Sequence, residues 1–375
     1  MRELDLLRFL AAFSVVVFHY STFGCRVGFS AFYAFLDSIA KYGYLGVELF
    51  FMISGFVILM SARGRGLFEF IISRVSRLYP AFWVCCTATF VFVLFTEGHA
   101  EVIASKEGVN FYQYLMNLTM IGRWFGAVSI DGVYWTLYQE VKFYLLVGLV
   151  LLLKNFSYIE ALMLRVKRFP WIEMLLLIWL ISCVILDLST SENIVFRLLR
   201  FALIAKNATF FIAGATYYLI WLKGFNWIRI ILLCITLGFA IFQKIAQIEN
   251  LKAWGHEGHS EFIIAGIVIS FFLIFLLISL RKTGALSSRD WIFWGSLTYP
   301  LYLIHHRIGG ILIRDFSSYV NEYLLFFGLI SLMFFFAYLI HVLFEKHGTL
   351  WLKKLLQANF ARLQPPKEKK DKLRP

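Results

Sequence analysis

The sequence predicts an all-α, polytopic integral membrane protein with about ten transmembrane helices. Three observations carry that expectation. Apolar residues make up 60% of the 375-residue chain and charged residues only 16%. Mean hydropathy is +0.75. Apolar runs of membrane-crossing length recur from end to end, at about 5–23, 44–61, 77–95, 140–153, 171–187, 207–222, 227–243, 261–280, 291–312 and 323–344.

The first run opens with Arg2, Asp5 and Arg8 and holds His19 near its far end. No small-residue cleavage site follows it and Asp5 lies within the pattern, so it is expected to be a retained span rather than a signal peptide. At about 100° per residue Asp5, Arg8 and His19 share one arc, with Arg8 and His19 about 16 Å apart along the axis. An ionisable group at that depth is costly to keep in lipid and marks a functional site. The second span carries Glu48 at the depth expected for His19 on an antiparallel neighbour. A carboxylate there would favour the imidazolium or hold one tautomer.

The third span enters with SRVSRLYP, where Arg74 and Arg77 are three apart and share a face. Guanidinium forks suit phosphate, and the same pair would serve as an anchor at a cytoplasmic surface. The fourth span is short. Its mouth reads YWTLYQEVKFY, placing Glu140 and Tyr144 four apart on one face. Glu140 can be a base, orient one, or bind a hydroxyl; the structural alternative is a pair with Lys142. The next four spans are apolar. The ninth is interrupted by Pro300, which frees a backbone carbonyl. Around it stand Tyr299, Tyr302, His305 and His306; Tyr302 and His306 share a face, as do Tyr299 and His306. Residues 1–350 are expected to form the membrane domain and 351–375 a basic cytoplasmic tail.

A net charge of +13 raises nucleic acid as a partner. Its distribution argues against that. Arg63, Arg65, Arg165, Lys167, Arg168, Arg281, Lys282, Arg289 and the tail from Lys346 to Arg374 lie on alternate ends of the spans, as the positive-inside rule requires, so both termini are expected in the cytoplasm. The five cysteines have no metal-ligand spacing and form no disulfide framework. No metal and no tightly bound cofactor is expected. Outer loops at about 96–138 and 244–260 carry Glu97, His99, Glu101, Glu107, Trp124, His256 and His259; the longer could fold over the outer face. No internal repeat is visible, which weighs against transporter folds built from paired halves.

Several of these segments together resemble the membrane acyltransferase 3 family. They are the opening Arg2 to Ala12 with His19; Gly46-Val-Glu48-Leu-Phe50-Phe51-Met-Ile-Ser54-Gly55-Phe56; the Arg-x-x-Arg of Arg74 and Arg77; Trp135-Thr136-Leu137 through Glu140 to Phe143-Tyr144; and Thr298-Tyr299-Pro300-Leu-Tyr302-Leu-Ile-His305, with Thr298 where Ser is usual. The resemblance spans nearly the whole chain. It implies an O-acyltransferase in the bacterial inner membrane that uses acyl-CoA, commonly acetyl-CoA, as donor co-substrate. The implied acceptor is a hydroxyl of a cell-surface glycan or lipid-linked saccharide, such as lipopolysaccharide O-antigen or exopolysaccharide. His19, Glu140 and Glu48 are the expected catalytic group. Arg8, Arg74 and Arg77 are expected to hold CoA, and Tyr144, Tyr299, Tyr302 and His305 to line the substrate path. His19, Ser54 or Tyr302 could carry the acyl group in transit. The rival expectation is a transporter or flippase of a lipid-linked sugar, with His19 and Glu140 as a proton relay.

Overall fold

The computed structural model describes residues 1–28, 31–96, 110–154, 169–253 and 258–363, and every regular element among them is helical. Glu97, His99, Glu101, Glu107, Arg165, Lys167, Arg168, His256 and the tail from residue 364 lie outside the described residues.

A helix stands at each predicted span: α1 (Arg2–Arg26), α3 (Gly46–Ala62), α4 (Leu67–Thr96), α6 (Trp135–Lys154), α7 (Trp171–Leu188), α9 (Ala208–Lys223), α10 (Trp227–Ala246), α11 (Glu261–Ser279), α12 (Ile292–Phe316) and α13 (Glu322–Ile340). Short helices α2 (Ala31–Ala40), α5 (Phe111–Leu118) and α8 (Ile194–Ala202) join them. Eight segments are long and apolar enough to cross a membrane. The other two predicted spans are special cases. α9 has only 16 residues, and every side chain from Ala208 to Ile220 is buried. A helix apolar on all sides belongs inside the protein. α12 dilutes its apolar run with Thr298, Tyr299, Tyr302, His305, His306 and Arg307, nearly all of them turned inward.

Close backbone approach fixes the centre. A Cβ added at Gly55 of α3 would stand 2.1 Å from Phe211 O, and one at Gly214 of α9 would stand 1.9 Å from Met52 O. In lipid, where apolar burial gives no drive between helices, such small-residue contacts let dispersion hold the pair. α1 lies along α12 in the same manner: Gly309 abuts the Tyr20 ring, and Tyr20 OH donates to His305 O at 3.2 Å.

Two elements depart from expectation. α4 starts ten residues before the predicted 77, so Arg74 and Arg77 sit two to three turns inside the helix rather than at its entrance. Arginines interrupt the hydropathy signal without interrupting the backbone, because their heads face a polar cavity instead of lipid. The last span also continues past 344. A π-helical turn, His341–Glu345, leads into α14 (Lys346–Leu363). α14 runs antiparallel to α4: a Cβ at Gly348 would meet Pro80 at 2.7 Å, and the Phe360 and Phe68 rings lie 4.2 Å apart. The expected boundary at 350 therefore falls within a packed helix.

Candidate active site

α1, α3, α4, α6, α12 and the π-turn enclose a cavity of about 290 Å³. Three guanidinium groups line it, one from α1 and two from α4. Arg8 is paired with Asp5 at 3.0 Å. Arg74 is buried and donates to Ser73 Oγ at 3.2 Å. Arg77 opens onto the cavity and makes no hydrogen bond or ion pair among the described residues. Of the three, Arg8 alone forms an ion pair; Arg74 and Arg77 have none among the described residues, and Glu140 and Glu345 share the cavity lining with them. Two guanidinium groups without an acidic partner suit an anionic ligand.

Glu140 projects into the same cavity from α6. Its Oε1 accepts from Tyr144 OH at 2.6 Å and from Ser54 Oγ at 3.1 Å. The i,i+4 spacing has thus placed Tyr144 as read from the sequence, and the alternative pairing with Lys142 does not occur. Lys142 instead donates to Gln139 Oε1 at 3.1 Å and caps the Phe201 ring at 3.6 Å. Tyr299 lines the cavity and donates to Leu78 O at 3.2 Å. Tyr302 and Thr136 form its far wall, their hydroxyls 3.1 Å apart.

His19 does not line this cavity. It stands behind the wall, with the His306 ring edge-on at 4.4 Å and the His305 ring at 5.4 Å. His305 is fully buried, its Nδ1 is 2.9 Å from Tyr302 O, and its ring is 5.6 Å from the Tyr302 ring. Tyr302 therefore has the arginine cavity on one side and the histidines on the other.

Glu48 corrects an expectation. Its carboxylate does not serve His19: it forms a buried ion pair with Lys244 of α10, and Lys244 also donates to Gln247 Oε1 at 3.0 Å. A buried charge takes the opposite charge within reach, and α10 brings one to the right level. Glu48 is a tie between helices, and it is not among the residues that line the cavity.

Sequence reasoning missed Asp131. It sits in the loop before α6, fully buried. Its Oδ1 accepts from Val133 N at 3.1 Å and its Oδ2 from Arg307 N at 2.9 Å. His306 Nδ1 lies 3.1 Å from Oδ1, in contact but not aligned as a hydrogen bond. Burial alone would raise the Asp131 pKa; His306 and the two backbone N–H groups outweigh it and hold the carboxyl below its ordinary value. The signal was faint: Asp-Gly ahead of a helix reads as a cap, and Asp131 does accept that capping bond. Among the described residues no group of three His, Cys, Asp or Glu is placed to hold a metal ion.

An all-α membrane protein with an arginine-lined cavity, an oriented carboxylate and a histidine cluster has the parts of a membrane-embedded group-transfer enzyme. The family profile described as "Acyltransferase domain" matches residues 1–343, and the chain belongs to that family. It is similar to a protein of Acidianus two-tailed virus described as "Putative acetyltransferase ORF330", at 26% identity over 114 residues, which is 30% of this chain. That stretch spans about a third (32%) of the relative's length. No solved structure matches the chain.

Proposed function

We propose that this acyltransferase moves an acyl group, acetyl being its family's commonest, from cytoplasmic acyl-CoA to a hydroxyl of a cell-surface glycan or glycolipid such as lipopolysaccharide O-antigen or exopolysaccharide. The observation that carries this reading is the gathering of Arg8, Arg74, Arg77 and Glu140 around one cavity that ends at Tyr302. Both termini face the cytoplasm in this reading, so the arginines stand on the donor's side. They hold the CoA phosphates, with Arg74 and Arg77 supplying the charge that no ion pair takes up. A cavity of about 290 Å³ is small for a whole cofactor and suits the thioester end of the pantetheine arm.

His19 acts as general base. It takes the proton of the acceptor hydroxyl, the oxygen attacks the thioester carbonyl carbon, and the C–S bond breaks. The proton then leaves with the CoA thiolate. For the acyl carbon to meet the hydroxyl, the contact between Thr136 and Tyr302 has to open. One observation favours a covalent variant. Ser54 Oγ donates to Glu140 Oε1, the arrangement of a nucleophile and its base, and both face the donor cavity. In that variant Ser54 carries the acyl group before the acceptor arrives.

The test uses the purified protein in lipid nanodiscs with labelled acetyl-CoA and an envelope glycolipid extract. The expected result is CoA release with label in the glycolipid. Protein that releases no CoA yet carries glycolipid between the leaflets of proteoliposomes is a flippase, and the reading falls. Label trapped on the protein without acceptor, and lost in Ser54→Ala, selects the covalent variant.

A further inference from the structure

We propose that Asp131 and His306 form a positioning dyad for His19, holding the positive charge that His19 acquires when it deprotonates the acceptor. The inference rests on the acyl-transfer reading above and assigns two residues that it does not use.

Three observations place the dyad. First, Asp131 is a fully buried carboxylate on a loop, where a carboxylate is expensive unless it is hydrogen-bonded and faces compensating charge. Two backbone N–H groups from different elements, Val133 and Arg307, hold it, so its orientation is set by the frame rather than by His306. Second, His306 bridges: its Nδ1 is 3.1 Å from Asp131 Oδ1, and its ring edge meets the His19 ring at 4.4 Å. Third, the loop is shaped around that ring. A Cβ at Gly132 would stand 2.7 Å from His306 Cε1. Only glycine lets the loop backbone close against the imidazole.

Other groups face the dyad. From α1 come His19 and Tyr20, from α4 Cys85 and Cys86, and from the loop Tyr134. From α12 come Tyr302, His305 and Arg307. Asp131 is the carboxylate among them. Arg307 carries fixed charge, and its Nη1 is directed to Ile130 O at 2.8 Å.

The proton balance is closed. The hydroxyl O–H bond breaks and an N–H bond forms on His19. The resulting imidazolium faces His306, and the Asp131 carboxylate offsets the added charge in a site of low dielectric, where such an interaction is strongest. When the C–S bond breaks, the proton passes from His19 to the CoA thiolate and His19 returns to its starting state. An acid–base contribution of this kind is worth about 10²–10⁴ in rate.

The experiment measures CoA release from acetyl-CoA by the purified full chain in nanodiscs, with n-octyl β-D-glucoside as acceptor, across a pH series. Asp131→Asn and His306→Gln are compared with wild type, with Asp131→Glu as the conservative variant and His19→Ala as the control. The expected result is a fall in kcat of about 10², an unchanged acetyl-CoA KM and partial recovery in Asp131→Glu. The acid limb of the kcat profile should move to lower pH in Asp131→Asn, because the carboxylate that favours protonation is gone. If Asp131→Asn does not fold, His306→Gln and Gly132→Ala carry the test, the latter displacing the His306 ring without removing a polar group. Active wild type with inactive His19→Ala, but Asp131→Asn and His306→Gln at wild-type kcat, overturns the dyad alone. So does a loss that tracks the thermal midpoint with an unshifted pH profile, since that is a merely structural role. A fully active His19→Ala overturns His19 as the base and the dyad with it, while the acyl-transfer reading stands; wild type that releases no CoA overturns the acyl-transfer reading itself.

Discussion

At the scale of single residues, Glu140 is the most constrained group in the cavity, held by Tyr144 from its own helix and by Ser54 from α3. Tyr144→Phe removes the shorter of these bonds and lets the carboxylate turn toward the arginines. The expected outcome is a loss of about 1 kcal/mol of stability, with a fall in CoA release that Glu140→Gln exceeds; steady-state kinetics on both variants checks the order. Asp131 adds a pH dependence. Its native pKa is held below the ordinary aspartate value of 3.8, so the stability it contributes is fully present above that pH and is lost as pH falls below it. The thermal midpoint of wild type in detergent should therefore drop more steeply in acid than that of Asp131→Asn. What could be read in the sequence at this scale was local. Glu140 with Tyr144, and Arg74 with Arg77, follow from helical spacing. Asp131 with Arg307, and Glu48 with Lys244, are separated by 176 and 196 residues, and no period connects them.

At the scale of elements, apolar run length located the helices because lipid forces every span to satisfy its own backbone. It misjudged where α4 begins and where the last span ends, since hydropathy records what a face touches and those stretches touch protein and polar space. The tie between α3 and α10 gives a test of what Glu48 does. Glu48→Gln leaves the Lys244 ammonium buried and uncompensated, and should cost about 3–5 kcal/mol. Replacing both partners with leucine should cost far less, and a thermal melt of the single and double variants decides it. A catalytic role for Glu48 requires instead that the double variant fold well and be inactive. The crossing of α3 and α9 is less forgiving: Gly214→Leu cannot be seated within 1.9 Å of Met52 O without parting the helices, and expression of folded protein should be lost.

At the scale of the molecule, charge and depth are sorted. The arginines gather on one side of Tyr302 and the histidines on the other. Arg77→Gln removes one of the two cations without an ion-pair partner and should raise the acetyl-CoA KM about tenfold or more while leaving kcat nearly unchanged; high salt should weaken donor binding in wild type and less so in the variant.

That sorting has a bioenergetic consequence. An arginine-lined opening on one side and titratable histidines on the other are the two halves of a proton wire, and a bilayer that maintains a proton-motive force does not tolerate one. Between them stand the Thr136 and Tyr302 hydroxyls, 3.1 Å apart, and the buried His305. If the donor is acyl-CoA, as proposed above, Tyr302 is placed to work as an airlock, opened by the thioester arm and shut in its absence. Tyr302→Ala should let proteoliposomes lose an imposed pH gradient faster than wild type, and acyl-CoA should accelerate that loss only when Tyr302 is present.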